Sequence, residues 1–313
     1  MCNEPITSVY CYLKWVMSLY ENESKHLFFR GHTQYSQKLI PYVLRKGEKW
    51  DEKEILLDFC NYADTLGVAY DKVYEIDKLL CFMQHYGLPT RLLDWSVSPL
   101  VALYFACLES DKNCEKDKDS NDKNNACAKD KDSDGKDDTD GNGGERQESI
   151  NKDDVDGRVF VFNPWDYNKK YLKVDYAIPE NHQIQILARA LPAYGWKLDE
   201  IQEYLKKKYV RVEIDSYYWQ HPYATVSPFS NNRKLHQRGT FMIWGSRECE
   251  LEHTAFERYG SSVRVPSEHK QGILDELNKL YINEYTVYPD YEGMGKMIET
   301  RGGLFNINRR AVK

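Results

Sequence analysis

Between residues 109 and 157 the chain carries 17 Asp/Glu and 9 Lys/Arg, with Asn, Ser and Gly between them and almost no apolar side chain. Such a stretch cannot bury enough surface to offset the entropy of ordering it. Any fold this chain adopts must therefore leave the segment outside its core. The segment also repeats itself: Cys114-Glu-Lys-Asp-Lys-Asp-Ser120 recurs as Cys127-Ala-Lys-Asp-Lys-Asp-Ser133. Duplication of this kind suits a tolerated surface excursion, whose closure cost grows only slowly with length. The expectation is one domain over residues 1–313, interrupted by a disordered acidic insert at about 110–156.

The insert also accounts for the charge. It has a net charge of −8, while the rest of the chain stands at +2, giving −6 overall. The remaining body is near neutral, and no global basic field argues for bulk nucleic-acid binding. No run of 18 apolar residues is present, which predicts no membrane span. The start Met-Cys-Asn-Glu-Pro lacks the basic and apolar regions of a secretory leader, which predicts a cytoplasmic setting. The eight Cys form no CxxC pair, so neither a zinc site nor a disulfide framework is expected. Asp130-x-Asp132-x-Asp134-Gly135 resembles the start of a calcium loop, but its twelfth position is Gly141, where a bidentate carboxylate is needed.

The flanks carry periodic patterns. Apolar residues at helical spacing predict helices over Thr7–Tyr20 (Thr7 as cap), Glu54–Leu66, Lys72–Tyr86 and Pro99–Leu108, the last with Ser98 as N-cap and Pro99 at its first position. After the insert, strands are expected at 158–162, 208–214, 239–244 and 262–265, a short strand-like piece at 286–288, and helices within 180–208 and 271–281. This is an α+β pattern: a helical N-terminal half packed on a mixed, mostly antiparallel sheet.

Two polar islands interrupt the apolar patterning. One is Leu27-Phe-Phe-Arg30-Gly31-His32, which reads as a buried strand ending in an arginine. The other is Gln84-His85-Tyr-Gly-Leu-Pro-Thr90-Arg91-Leu-Leu-Asp94-Trp95-Ser96, read as a polar cluster around a turn. Charges within apolar sequence are either paired or functional. Arg30 could grip a phosphate or carboxylate, or pair structurally with Asp94. Gly31 would let a ligand approach the backbone. His85 could serve as a general base or simply face a helix C-terminus. Arg91 and Asp94, three residues apart, could pair with each other. Trp95 could floor an aromatic pocket and Ser96 contact a bound polar group. Gln237, at the start of the strand near 239, could present its amide to a cleft. No P-loop, Rossmann or Gly-x-Ser-x-Gly pattern occurs.

These islands resemble the FRG domain family, named for Phe29-Arg30-Gly31. The resemblance continues through Leu39-Ile40-Pro41, Arg45 and the block Gln84–Trp95. It extends to Arg233…Gln237-Arg238-Gly239-Thr240-Phe241 and Tyr288-Pro289-Asp290, roughly residues 25–300. A more distant resemblance is to ADP-ribosyltransferases of the Arg-Ser-Glu type. Phe29-Arg30-Gly31 is similar to their first strand. Asp94-Trp95-Ser96, running into a helix with Ala102 and Phe105, is similar to their second element, and Gln237–Phe241 to their third. Where that pattern has Glu, this chain has Gln237 and Gly239. The resemblance implies an ADP-ribosyltransferase-like core that binds a nucleotide, with NAD as substrate rather than as a required cofactor, and transfers or hydrolyses its ADP-ribose. Arg30, Gly31, His32, Gln84, Arg91, Trp95 and Ser96 are then the binding candidates. His85, Asp94 and Gln237 are the catalytic ones, and the set should share one cleft. The alternative is a non-catalytic recognition or sensor module, nucleic-acid-associated or defence-related, built on the same residues. No metal site is expected under either reading, and the acceptor macromolecule is left open.

Overall fold

A computed structural model describes residues 5–21, 27–45, 50–65, 76–109, 155–175, 179–209, 216–225, 232–245, 251 and 256–301. Six strands form one sheet: β1 (Phe28–His32), β2 (Leu92–Ser96), β3 (Gly157–Phe162), β4 (Tyr223–Thr225), β5 (Gly239–Ile243) and β6 (Gly260–Val265). Their order is β4-β5-β2-β1-β3-β6, and every described pair is antiparallel. The sheet is thus not mixed, as expected from the sequence, but wholly antiparallel among the described residues. Both strands of the N-terminal half, β1 and β2, lie in its centre.

The helices are α1 (Val9–Tyr20), α2 (Glu52–Thr65), α3 (Ile76–His85), α4 (Pro99–Cys107), α5 (Pro164–Asp166), α6 (Pro179–Ala190), α7 (Leu198–Lys208), α8 (Asn232–Gln237), α9 (Glu257–Tyr259), α10 (Ser267–Lys279), α11 (Glu284–Val287) and α12 (Tyr291–Arg301). A single π-turn, Tyr167–Tyr171, follows α5. Helices are therefore spread along the chain rather than gathered in its first half.

Period-two alternation along β1, β3 and β6 sends side chains to opposite faces and produces two cores. Phe29, Val159, Val161, Val263 and Val265 pack with α1, α4 and α10. Phe28, Phe160 and Phe162 pack with residues of α2, α3, α6 and α7. The result is three layers, with the sheet in the middle. No described helix is long and apolar enough to cross a membrane.

Local signals explain most element ends. Ser98 caps α4 through Val101 N at 3.4 Å, with Pro99 at the first position. Ser8, one residue beyond the expected Thr7, caps α1 through Cys11 N at 3.2 Å. The strand-like piece at 286–288 is instead the short helix α11. Asn283 Oδ1 accepts from Thr286 N at 3.1 Å and Thr286 Oγ1 accepts from Asn283 N at 2.8 Å. This reciprocal cap outweighs the β-branched residues. The expected turn around Asp94 is the central strand β2, held by five registered pairs with β5. Of the disorder expected at about 110–156, residues 110–154 lie outside the described residues, as do the calcium-like stretch, the strand beyond Tyr209 and the helix start at Lys72; its last residues are ordered instead, with Asp156 buried and its Oδ1 accepting from Ser267 N at 2.8 Å. The two ends of the acidic stretch come together, however. A side chain on Gly157 would meet Ala106 O, and Lys270 Nζ donates to Thr33 O at 2.8 Å and Leu108 O at 3.4 Å.

Candidate functional site at the β1–β2 seam

β1 and β2 share the pair Phe29↔Ser96, whereas β2 runs in full register with β5 and β1 with β3. Beyond Phe29 the seam is bridged by a side chain rather than a ladder bond. Arg30 Nη1 donates to the Asp94 carbonyl. Arg30 Nε donates to His32 Nε2 at 2.8 Å, and His32 Nδ1 lies 3.1 Å from Gln37 O. These bonds fix the neutral tautomer with its proton on Nδ1. Burial, with the Arg30 charge next in weight, holds the His32 pKa well below its usual range. Desolvation lowers the Arg30 guanidinium to about 10 against the opposing pull of Asp94, so it stays charged at neutral pH.

From Asp94 the network continues to α3. Gln84 Nε2 donates to Asp94 Oδ2 at 2.6 Å, and Thr90 Oγ1 donates to Gln84 Oε1. Asp94 is exposed in the middle of a strand whose other four residues are buried. Arg30 Nη2 and Asp94 Oδ1 make no hydrogen bond among the described residues. The surroundings are basic. Arg45 acts electrostatically on both Arg30 and His32 and stacks on Tyr42 at 5.2 Å. Arg158, cross-strand from His32, and Arg264 flank Tyr35 at 4.9 and 4.2 Å.

The structure thus brings Arg30, His32, Gln84 and Asp94 into one hydrogen-bonded line. It places the other candidates elsewhere or commits them to the scaffold. Arg91 is buried away from Asp94. It makes a bidentate pair with Glu52 (2.9 and 2.5 Å), and its Nη1 donates to Arg189 O, Trp244 O and Gly245 O. Ser96 Oγ donates to Gln237 O at 2.6 Å and accepts from Ser98 N at 2.9 Å, which shapes the turn into α4. Gln237 is the last residue of α8 rather than the start of the strand, and its Nε2 donates to Val287 O at 3.2 Å, tying the end of α8 to α11. Trp95 is buried against Phe162, at 5.9 Å between rings, and its Nε1 has no hydrogen-bond partner among the described residues. His85 ends α3 with its ring 5.0 Å from that of Tyr86.

Gly31 is required by the packing of α4 on β1. A Cβ there would stand 1.9 Å from Ala102 O and 2.6 Å from Ala106 N, both backbone atoms of α4. One residue important to this region escaped sequence reasoning. Glu52 carries no local signal, because its partner Arg91 is 39 residues away. Arg45 was visible only as part of the family pattern. Among the described residues no three His, Cys, Asp or Glu side chains gather as a metal site.

No curated protein and no solved structure matches the chain at a significant level. A family model does match, over less than a third of the chain, and its span runs from β1 through α4, taking in both polar islands. Residues 25–115 match the FRG domain model, and over that stretch the chain carries an FRG domain.

Proposed function

We propose that the β1–β2 seam is a nucleotide site, with NAD as the first candidate substrate and ADP-ribosyl transfer or NAD hydrolysis as the reaction. One observation carries this reading: the Arg30 edge that bonds nothing among the described residues stands beside the exposed carboxylate of Asp94, where the β1–β2 ladder is reduced to one registered pair. A guanidinium edge with Arg45 nearby suits a pyrophosphate. A carboxylate with one free oxygen, oriented by Gln84, can accept from ribose hydroxyls. In cleavage of the nicotinamide–ribose bond, positive charge develops on the ribose, and Asp94 is the carboxylate placed to stabilise it. The three strands bearing the transferase-like pieces, β5, β2 and β1, lie side by side, which supports the reading.

A second reading has its own support. His32, Arg91, Ser96 and Gln237 all spend their polar groups on the scaffold, as a non-catalytic recognition module would allow. Incubation of the purified protein with NAD, followed by nicotinamide release, separates the two. The expected result is turnover that Asp94→Asn and Arg30→Gln abolish while the far-ultraviolet circular dichroism is unchanged. Saturable binding of NAD without turnover would favour the recognition module. Absence of both binding and turnover would reject a nucleotide at this seam.

A further inference from the structure

A concavity lies elsewhere in the fold, sharing no lining residue with the Arg30 line. Its volume is about 520 Å³, within the roughly 300–1,000 Å³ of small-ligand pockets. The π-turn, the 217–221 segment and α9 form its walls. Tyr171, Tyr217, Tyr218, Tyr259 and His221 supply its aromatic surface, and no carboxylate lines it among the described residues. The charged lining residues are Lys170, Lys173 and Arg258. Lys170 is held by Asp166 at 2.8 Å. Lys173 and Arg258 have no carboxylate partner among the described residues, and Arg258 lies over the Tyr259 ring at 5.6 Å.

The walls are fixed from behind by buried polar bonds. Asn168 Nδ2 donates to Ala224 O at 2.7 Å and its Oδ1 accepts from Ala224 N at 3.2 Å; Tyr167 Oη donates to Pro222 O at 2.8 Å. These bonds tie the π-turn to β4. Arg189, fully buried, donates from Nε to His221 O at 2.5 Å and from Nη2 to Tyr218 O at 2.9 Å. A buried arginine spent on two wall carbonyls pre-organises the 218–221 segment. Two backbone features point the same way. Single π-turns cluster at functional sites, and Lys173 sits at φ 58, in the left-handed region that lysine adopts at a cost.

We infer that this pocket is a second ligand site, for a phosphorylated compound with a planar ring, of the nucleoside diphosphate class. Lys173 and Arg258 hold the phosphates, and the ring packs on the tyrosine faces. The test is isothermal titration of the full chain with ADP, with adenosine and inorganic phosphate as comparison probes. Lys173→Gly removes the charge at a backbone position that glycine accepts without strain, so loss of fold is not a concern there. Combined with Arg258→Gln, it should weaken ADP at least tenfold, and Tyr218→Leu should weaken it further. Arg30→Gln removes any ADP held at the β1–β2 seam, so the pocket is read as the ADP binding that persists in that variant and is lost when Lys173→Gly and Arg258→Gln are added to it. Adenosine should bind at least tenfold more weakly than ADP. Overturning results are no saturable ADP binding, equal affinity for adenosine, or indifference to the pocket substitutions. Binding of a single-stranded oligonucleotide without ADP would likewise overturn it. Loss of ADP binding only in Arg30→Gln would assign the nucleotide to the β1–β2 seam, leaving that proposal standing and this one refuted.

Discussion

Replacing Gly31 by alanine tests whether the glycine of the Phe-Arg-Gly tripeptide serves packing or ligand approach. The added Cβ would lie 1.9 Å from Ala102 O and 2.6 Å from Ala106 N. Both are helix backbone atoms and cannot rotate aside. Restoring ordinary van der Waals contact requires α4 to retreat from β1 by roughly 1.5 Å. That retreat loosens the core in which Phe29, Ala102, Leu103 and Ala106 pack together. Overpacking of this kind costs about 1–3 kcal/mol, and the backbone obstruction places Gly31→Ala at the upper end, near 3 kcal/mol. Two other glycines calibrate the result. Gly87 has φ +80 with nothing within 4 Å, so alanine there should cost only about 1–2 kcal/mol of backbone strain. Gly272, inside α10 with nothing within 4 Å, should gain up to about 1 kcal/mol as alanine. Urea denaturation of the three variants, compared at constant m-value, reads the series. If Gly31→Ala is as stable as the parent yet loses ligand binding at the seam, the packing argument fails and ligand approach is the true constraint.

Glu52→Ala should destabilise by about 3–5 kcal/mol, because it leaves the buried Arg91 charge without its carboxylate, and the same urea titration checks it. The depressed His32 pKa makes stability depend on pH in one direction. The unfolded chain takes up a proton below about 6.5 that the folded chain refuses, so His32 contributes a loss of about 1.4 kcal/mol per pH unit as pH falls below that value. His32→Gln should flatten the pH dependence of Tm between pH 6.5 and 5, and an unchanged slope would sink the assignment. Deleting 112–154 with a short Gly/Ser joint should leave Tm unchanged or a few degrees higher, because the flanks already meet at Ala106 and Gly157; a large drop in a thermal melt would reject a single interrupted domain.

Several features of this chain are decided locally and could therefore be read from the sequence. Ser98-Pro99 starts a helix whatever surrounds it, because the cap and the fixed proline φ act within one turn. The α+β class follows from apolar spacing, and the FRG domain from the unbroken block Gln84–Trp95, both properties of contiguous residues. Arg30 and Asp94 were legible as a polar line because charges inside apolar runs require partners.

What the tertiary structure decided is who those partners are. Arg91 binds Glu52, not Asp94, because β2 is extended: Asp94 emerges at an exposed point of the strand while Arg91, before it, is enclosed by α2, α6 and the end of β5. Gly31 was chosen by α4, which follows β1 by about seventy residues yet lies directly on it. Ser96 and Gln237 meet across 141 residues of chain, and the pocket cations Lys173 and Arg258 become neighbours only once the π-turn and α9 share a wall. Short-range rules set helix starts and strand patterns because steric and capping energies act over a few residues. Contacts across such separations are selected by burial, which only the assembled layers determine.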